Sequence, residues 1–112
     1  MAMAEGQVLG EFEQLVILGV LHCGADAYGV PICHELETRA RRRVSLGAVY
    51  KTLDRLEQKH LVRSTLGPAT AARGGRRKRI YNVTPLGLKV LRSSLGAVAR
   101  MWDGLQTVIG VP

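Results

Sequence analysis

The sequence predicts a mainly α-helical fold that carries one small β-hairpin and ends in a long helix. Three observations predict it. Apolar residues recur at helical spacing in three stretches within residues 9–60. Two short segments typical of strands, 61–66 and 79–83, flank a loop rich in Gly and Arg. Apolar residues then repeat every three or four positions from Leu88 to Ile109, as in a helix that packs along its whole length.

The composition limits the size of the domain and the chemistry of its partner. With 112 residues, 46% of them hydrophobic, the chain is expected to form one small domain around an aliphatic core. Lys and Arg number 16 against 9 Asp and Glu, which gives a net charge of +7. Because 13 of the 16 cations lie between Arg39 and Arg79, the charge favours a polyanionic partner that contacts the middle of the chain.

The chain is expected to work in the cytoplasm, at the nucleoid, without a membrane partner. Residues 1–6 lack the cationic segment of a signal peptide, and the apolar run 15–23 is too short to span a bilayer. Two cysteines cannot build a disulfide scaffold, which fits a reducing compartment. The pairs His22-Cys23 and Cys33-His34 match no ordinary zinc spacing, so we expect no metal site, with thiol or metal sensing as the alternative.

The first two helices follow a short arm, residues 1–8. The first helix is predicted over 11–22, and Asp26 is the candidate N-cap of the second. Pro31 lies just beyond the first turn of that second helix. It is therefore expected either to remove one backbone hydrogen bond or to shift the helix start.

The third helix begins after Ser45, a good N-cap residue, and its apolar spacing predicts one buried stripe of Leu46, Val49, Leu53 and Leu56. Small residues near its start would let it approach a groove closely, and its polar side chains can donate to phosphates or base edges. Tyr50 has two equal interpretations, a phosphate contact or a half-buried ring against the second helix. The candidate DNA-binding residues of this helix are Ser45, Gly47, Ala48, Tyr50, Lys51, Thr52 and Arg55.

The hairpin that follows carries a basic loop. Alternation along 79–83 places Tyr81 and Val83 toward the core. The cations at the tip are expected to contact phosphates or a minor groove, the alternative being a merely solvated loop. These candidates are Arg73, Arg76, Arg77, Lys78 and Arg79. A helix followed by a hairpin with a basic tip is the layout of a winged helix-turn-helix, and residues 9–84 are assigned to it.

The fourth helix, in residues 85–112, is predicted to start with Thr84 as its cap and Pro85 in its first position. Its seam suits a second copy of the chain, so we expect a dimerisation helix; the alternative is a helix folded back on its own core. The seam comprises Leu88, Leu91, Leu95, Val98, Trp102, Leu105 and Ile109. Trp102 is interpreted as an interface anchor or, alternatively, as one wall of an effector pocket.

Three segments resemble the PadR family of bacterial transcription regulators. They are Ala27-Tyr28-Gly29-Val30, the run 44–57 and the run 74–87 with its Tyr-x-Val-Thr-Pro-x-Gly junction, and the likeness extends over about residues 9–109. The resemblance implies a winged helix, a C-terminal dimerisation helix, repression of a promoter and, in some members, a flat aromatic effector. His60 replaces the usual Gly before the strand, and Pro31 is unusual in the second helix.

The sequence therefore predicts a homodimeric repressor that binds double-stranded DNA at an inverted repeat. Two alternatives remain open, an architectural protein that binds nucleic acid without sequence choice and a protein–protein interaction module. The sequence contains no P-loop, no dinucleotide fingerprint and no nucleophile beside a paired base. We therefore expect no enzymatic activity and no cofactor.

Overall fold

A computed structural model describes residues 8–68 and 77–110 of the chain. Five α-helices, one short 3-10 helix (Gly24–Asp26) and one hairpin account for the described elements, so the expectation of a mainly α-helical fold with a small β-hairpin is confirmed. Within the described ranges, no helix is both long and apolar enough to cross a bilayer. The helices are α1 (Glu11–Cys23), α2 (Gly29–Arg39), α3 (Leu46–Gln58), α4 (Pro85–Trp102) and α5 (Gln106–Ile109), and the strands are β1 (Val62–Leu66) and β2 (Arg79–Val83).

The predicted starts of α3 and α4 are confirmed by their caps. The Ser45 hydroxyl accepts the Ala48 N–H at 3.1 Å, and the Thr84 hydroxyl accepts the Gly87 N–H at 3.0 Å. Each cap satisfies one of the backbone donors that a helix start leaves open. His60 follows α3 with φ of 64°, the left-handed conformation expected there.

The start of α2 differs from the prediction. Asp26 is not its N-cap, because it ends a short 3-10 turn, and Tyr28 precedes the helix instead. Since α2 begins at Gly29, Pro31 is its third residue and falls inside the first turn. A proline there sacrifices no helical hydrogen bond, because first-turn N–H groups have no partner within the helix.

The hairpin is antiparallel, with Val62 opposite Val83 and Leu66 opposite Arg79. Tyr81 donates its N–H to the Ala27 carbonyl at 2.8 Å, which holds the turn between α1 and α2 beside β2. The Tyr81 side chain is 2% exposed, as alternation along the strand predicts.

The core forms where α1, α2 and α3 pack against the hairpin and the first turns of α4. Its largest fully buried side chains belong to Tyr81, Ile17, Ile32, Leu53, Leu56 and Leu61. The ion pair between Lys59 and Glu13, 2.9 Å from Nζ to Oε2, joins the end of α3 to the start of α1. Of the predicted arm, residues 1–8, only the exposed Val8 lies within the described residues.

The prediction of one uninterrupted C-terminal helix through Ile109 is wrong. The helix stops at Trp102, Gly104 adopts φ of 89°, and α5 follows as a single turn. Apolar periodicity indicates which side chains share one face of an ideal helix. It does not indicate where a residue interrupts the helical backbone. Gly is the residue that most readily takes a positive φ, and it supplies that break here.

One member of the predicted seam belongs to the core of the winged helix, since Leu91 is only 4% exposed. Val90 beside it is 1% exposed, so the inner face of α4 packs on the winged helix over its first two turns. The remaining seam residues are more exposed, and Trp102 is half-buried. The exposed members are Leu88 at 41%, Leu95 at 39%, Val98 at 57%, Leu105 at 45% and Ile109 at 60%.

Candidate nucleic-acid interface

The third helix presents two chemically different faces. Val49, Leu53 and Leu56 are fully buried and fix α3 on the core. The opposite face is exposed and combines small residues at the start of the helix with cationic side chains farther along. That face comprises Gly47, Ala48, Lys51 and Arg55, together with the carboxylate of Asp54.

For two side chains of α3, the predicted and observed burial are opposite. Thr52 is 4% exposed and lies on the core side. This placement differs from the prediction, which put Thr52 on the exposed face, where it could contact bases or phosphates. Leu46, predicted to be buried, is 41% exposed. The reason is helical geometry: Thr52 follows Val49 by three positions and precedes Leu56 by four, which places it within the buried stripe whatever its polarity.

Tyr50 packs against the start of α2, the second of its two interpretations. A Cβ atom added to Gly29 would lie 2.5 Å from both Cζ and the hydroxyl oxygen of Tyr50, and 2.8 Å from Leu46 Cδ1. Those distances leave no room for a side chain at position 29. Gly29 therefore allows the α3 side chains to cross α2 closely, and Tyr50 remains 36% exposed at the edge of the exposed face of α3.

The hairpin of β1, β2 and the loop between them is called the wing below, and its predicted cations have different surroundings. Arg73 and Arg76 lie outside the described residues. Arg77 is exposed, and its Nε donates to the Gly67 carbonyl at 3.0 Å. Lys78 is half-buried, with Nζ 3.2 Å from the Tyr28 hydroxyl and 4.3 Å from the centroid of the Tyr28 ring. Lys78 thus anchors the base of the wing to the start of α2, where a phosphate would have to compete with Tyr28.

A chain of hydrogen bonds joins α3 to both strands of the wing. Glu57 Oε2 accepts the Ser64 N–H at 3.1 Å and the Ser64 hydroxyl at 2.8 Å, and Arg79 donates to that hydroxyl oxygen at 2.9 Å. The end of α3, β1 and β2 are thereby held at a fixed spacing. Burial, with the carboxylates of Asp54 and Glu57 nearby, raises the pKa of Tyr81 to about 12, so its phenol stays protonated even at mildly alkaline pH.

Sequence reasoning missed Tyr28, Glu57 and Ser64 as residues that orient the interface. Tyr28 belongs to a motif that carries the family likeness, and no periodicity indicates that its ring meets Lys78. Glu57 and Ser64 are seven positions apart across a helix end and a strand start. Local spacing rules reach three or four residues within one helix and do not extend across such a junction.

Burial and nearby carboxylates raise the thiol pKa of both cysteines. Burial, together with the negative charges of Glu35 and Asp26, raises the pKa of the Cys23 thiol. Burial and Glu37 raise the pKa of Cys33 in the same way. A raised thiol pKa disfavours the reactive thiolate. No cluster of three or more His, Cys, Asp or Glu side chains suited to a metal occurs within residues 8–68 and 77–110.

Comparison with known proteins agrees with this geometry. The model of the transcriptional regulator PadR-like family matches residues 17–93. No curated protein matches the chain by sequence. Among solved structures, a PadR-like transcription factor from Bacteroides fragilis is 21% identical with a TM-score of 0.67, covering 87% of this chain and 88% of its own.

Two further structures show the same fold. A PadR-like transcriptional regulator from Bacillus cereus is 18% identical, with a TM-score of 0.68 over 90% of this chain and 93% of its own. A PadR family regulator from Clostridium difficile is 23% identical, with a TM-score of 0.65 over 86% and 95%. Because the family match spans well over half of the sequence and the hairpin and helices match in structure, the chain belongs to the PadR-like family of transcriptional regulators and is a DNA-binding winged helix.

Proposed function

We propose that the protein is a homodimeric repressor that recognises a specific sequence in double-stranded DNA, an inverted repeat. The observation that carries this proposal is the exposed face of α3, where Gly47 and Ala48 precede Lys51 and Arg55. An α-helix is about 10–12 Å in diameter and the major groove is about 12 Å wide, so small residues at the leading end favour close insertion. Lys51 and Arg55 then reach base edges or the phosphates that line the groove.

The wing supplies the sequence-independent part of the proposed interface. Arg77 and Arg79 are exposed on the hairpin, and the tip cations Arg73 and Arg76 extend the same charge in sequence. The Glu57, Ser64 and Arg79 hydrogen bonds keep the hairpin in register with α3. Phosphate contacts by the wing would fix the orientation of α3 without choosing the sequence.

The proposed dimer rests on the apolar stripe of α4 and α5. Leu88, Leu95 and Val98 leave a large part of their side chains exposed, and Met101 is 78% exposed beside the half-buried Trp102. Contiguous exposed apolar surface of this kind marks interaction sites. A second copy with the same stripe would cover it and would place two α3 helices on one duplex, which favours an inverted-repeat operator with half-sites about one helical turn apart.

Release of the repressor by a small flat aromatic effector beside Trp102 is a further part of the proposal. Trp102 is the only tryptophan of the chain, so its fluorescence reports directly on that surface. A binding effector should change the Trp102 emission and weaken operator binding together. A change in emission with no change in operator affinity would leave Trp102 as an interface anchor only.

Selection of bound sequences from random duplexes tests the proposal. A sequence-specific dimer should enrich an inverted repeat. Binding without enrichment would favour the architectural alternative, whose affinity depends on salt and not on sequence. No retention of duplex at moderate salt would favour the protein–protein interaction module.

A further inference from the structure

The turn between α2 and α3 carries three consecutive arginines, of which, among the described residues, one is paired with a carboxylate and two are not. Arg42 donates to Glu11 Oε1 at 3.1 Å, which ties the turn to the start of α1. Arg41 and Arg43 are exposed, and neither makes a hydrogen bond or an ion pair within the described part of the chain. Two guanidinium groups therefore project from this turn with their donors unused.

The backbone at Arg41 is unusual for an arginine. Its φ is 54°, and the following N–H, that of Arg42, donates to the Leu36 carbonyl at 3.1 Å. Arg41 lies directly after Ala40, the residue that ends α2, and a left-handed residue at that place is most often Gly because a Cβ is crowded in this conformation. Because glycine would fit this conformation better, we infer that Arg41 serves through the charge of its side chain.

The same side chains line a surface concavity. Glu37, Arg41 and Arg43 surround an open volume of about 550 Å³. Arg43 stands two residues before Ser45, the cap of α3, so its Cα lies within about 7 Å of the start of that helix. The concavity therefore borders the end of α3 that carries Gly47 and Ala48. Arginine pairs phosphate oxygens through two parallel hydrogen bonds, and one carboxylate against two guanidinium groups leaves the site net positive.

We propose that Arg41 and Arg43 bind the phosphodiester backbone of duplex DNA, as a contact element separate from α3 and the wing. The inference rests on the proposed function, since it requires α3 to enter the major groove. The first helix of a helix-turn-helix crosses the DNA backbone while the second lies in the groove, so the turn between them faces the phosphates beside the groove. Glu37 opposes that contact and limits its strength.

Salt titrations of binding to the selected duplex test the assignment. Arg41→Gly and Arg43→Ala should each weaken binding to selected and random duplexes by the same factor. Each should reduce the slope of log K against log salt by about 0.9 for every phosphate that the variant no longer neutralises, hence by about 1.8 in a dimer. Arg41→Gly should also unfold at a higher temperature than the wild type, because Gly suits the left-handed backbone. Glu37→Gln should tighten binding to both duplexes.

Two controls keep the outcomes separate. Arg42→Ala removes the same charge one residue away, and because that guanidinium faces Glu11, it should leave the salt slope close to that of the wild type. Lys51→Ala tests the proposed function itself. If Lys51→Ala weakens binding but the Arg41, Arg43 and Glu37 variants keep the wild-type slope and affinity, the inference fails and the proposed function stands. If none of these variants, Lys51→Ala included, alters binding, both fail.

Discussion

At the scale of single residues, three glycines show how a missing side chain serves packing or approach. A Cβ at Gly87 would overlap the Leu61 carbonyl and lie 2.8 Å from Val83 Cγ1, so the start of α4 rests directly on the residue before β1 and on the end of β2. A Cβ at Gly29 would meet Tyr50 in the same way. Gly47, in contrast, has nothing within 4 Å of that position and lies on the exposed face of α3. Packing explains the first two glycines, and it does not explain the third.

Gly47→Ala is expected to separate stability from function. Alanine favours a helix over glycine by up to about 1 kcal/mol, and open space surrounds the added methyl group, so the thermal midpoint should rise slightly. DNA binding should nevertheless weaken, because the methyl group would stand between α3 and the groove. Gly87→Ala is the matched control and should lower the midpoint. If Gly47→Ala binds DNA as well as the wild type, α3 does not approach the groove by this face.

The residues of α3 also show what sequence can and cannot predict. Ser45 is recognisable as a cap because its chemistry suits an open helix start and apolar periodicity follows it. The prediction for Thr52 is wrong because the polarity of its side chain suggests exposure, whereas its position between Val49 and Leu56 decides burial. Where the polarity of a side chain and its position along a short helix predict different burial, the position decides which side chain is buried.

At the scale of elements, α1 is joined to α3 by a largely buried ion pair. Glu13 is 8% exposed, and its carboxylate accepts from Lys59 at 2.9 Å and from the Gly10 N–H at 3.0 Å. Burial alone would raise the pKa of Glu13, but these hydrogen bonds and the charges of Lys59 and Arg55 outweigh it and lower the pKa below 4.5. The pair thus fixes the end of α3 against α1.

The lowered pKa of Glu13 determines how the stability of the fold changes with pH. The unfolded chain binds a proton to Glu13 more readily than the folded chain, so the contribution of Glu13 is complete above pH 4.5 and is lost as pH falls through its folded pKa. Glu13→Gln should be less stable than the wild type at pH 7, and the difference should shrink toward pH 3 in thermal melts. Glu11→Gln, at an exposed pair, should change stability far less. A Glu13→Gln difference that stays constant with pH would contradict the pair.

The strands and the caps of α3 and α4 are predictable from sequence, while the connections between elements are not. The boundaries of β2 agree with the prediction, because alternation and the Thr84-Pro85 start leave little choice. The contact of Lys78 with Tyr28 joins residues 50 positions apart, and no local rule indicates it. The break after Trp102 could not be predicted, because a single Gly lowers helix propensity without ending every helix that contains one. In the structure, Gly104 takes a positive φ, and α4 ends just before it.

At the scale of the whole molecule, the exposed stripe of α4 and α5 is the surface that a second copy would cover. Leu95→Asp places a carboxylate in that stripe, and burying it without a partner costs several kcal/mol, so the variant should be monomeric in light scattering and should bind the operator weakly. Ser93→Asp makes the same charge change on an exposed position away from the stripe and should remain a dimer. Leu95 suits this test better than Leu91, whose substitution would damage the core. An unchanged dimer in Leu95→Asp would place the interface elsewhere.

In the proposed complex, α3 selects the sequence while the wing contributes affinity alone. Selection from random duplexes, run in parallel on the wild type, Lys51→Ala and Arg77→Ala, tests it most directly. The wild type should enrich an inverted repeat, Lys51→Ala should lose preference at the same position of both half-sites, and Arg77→Ala should enrich the wild-type motif at lower affinity. The claim is contradicted if Lys51→Ala keeps the wild-type motif or if Arg77→Ala changes it.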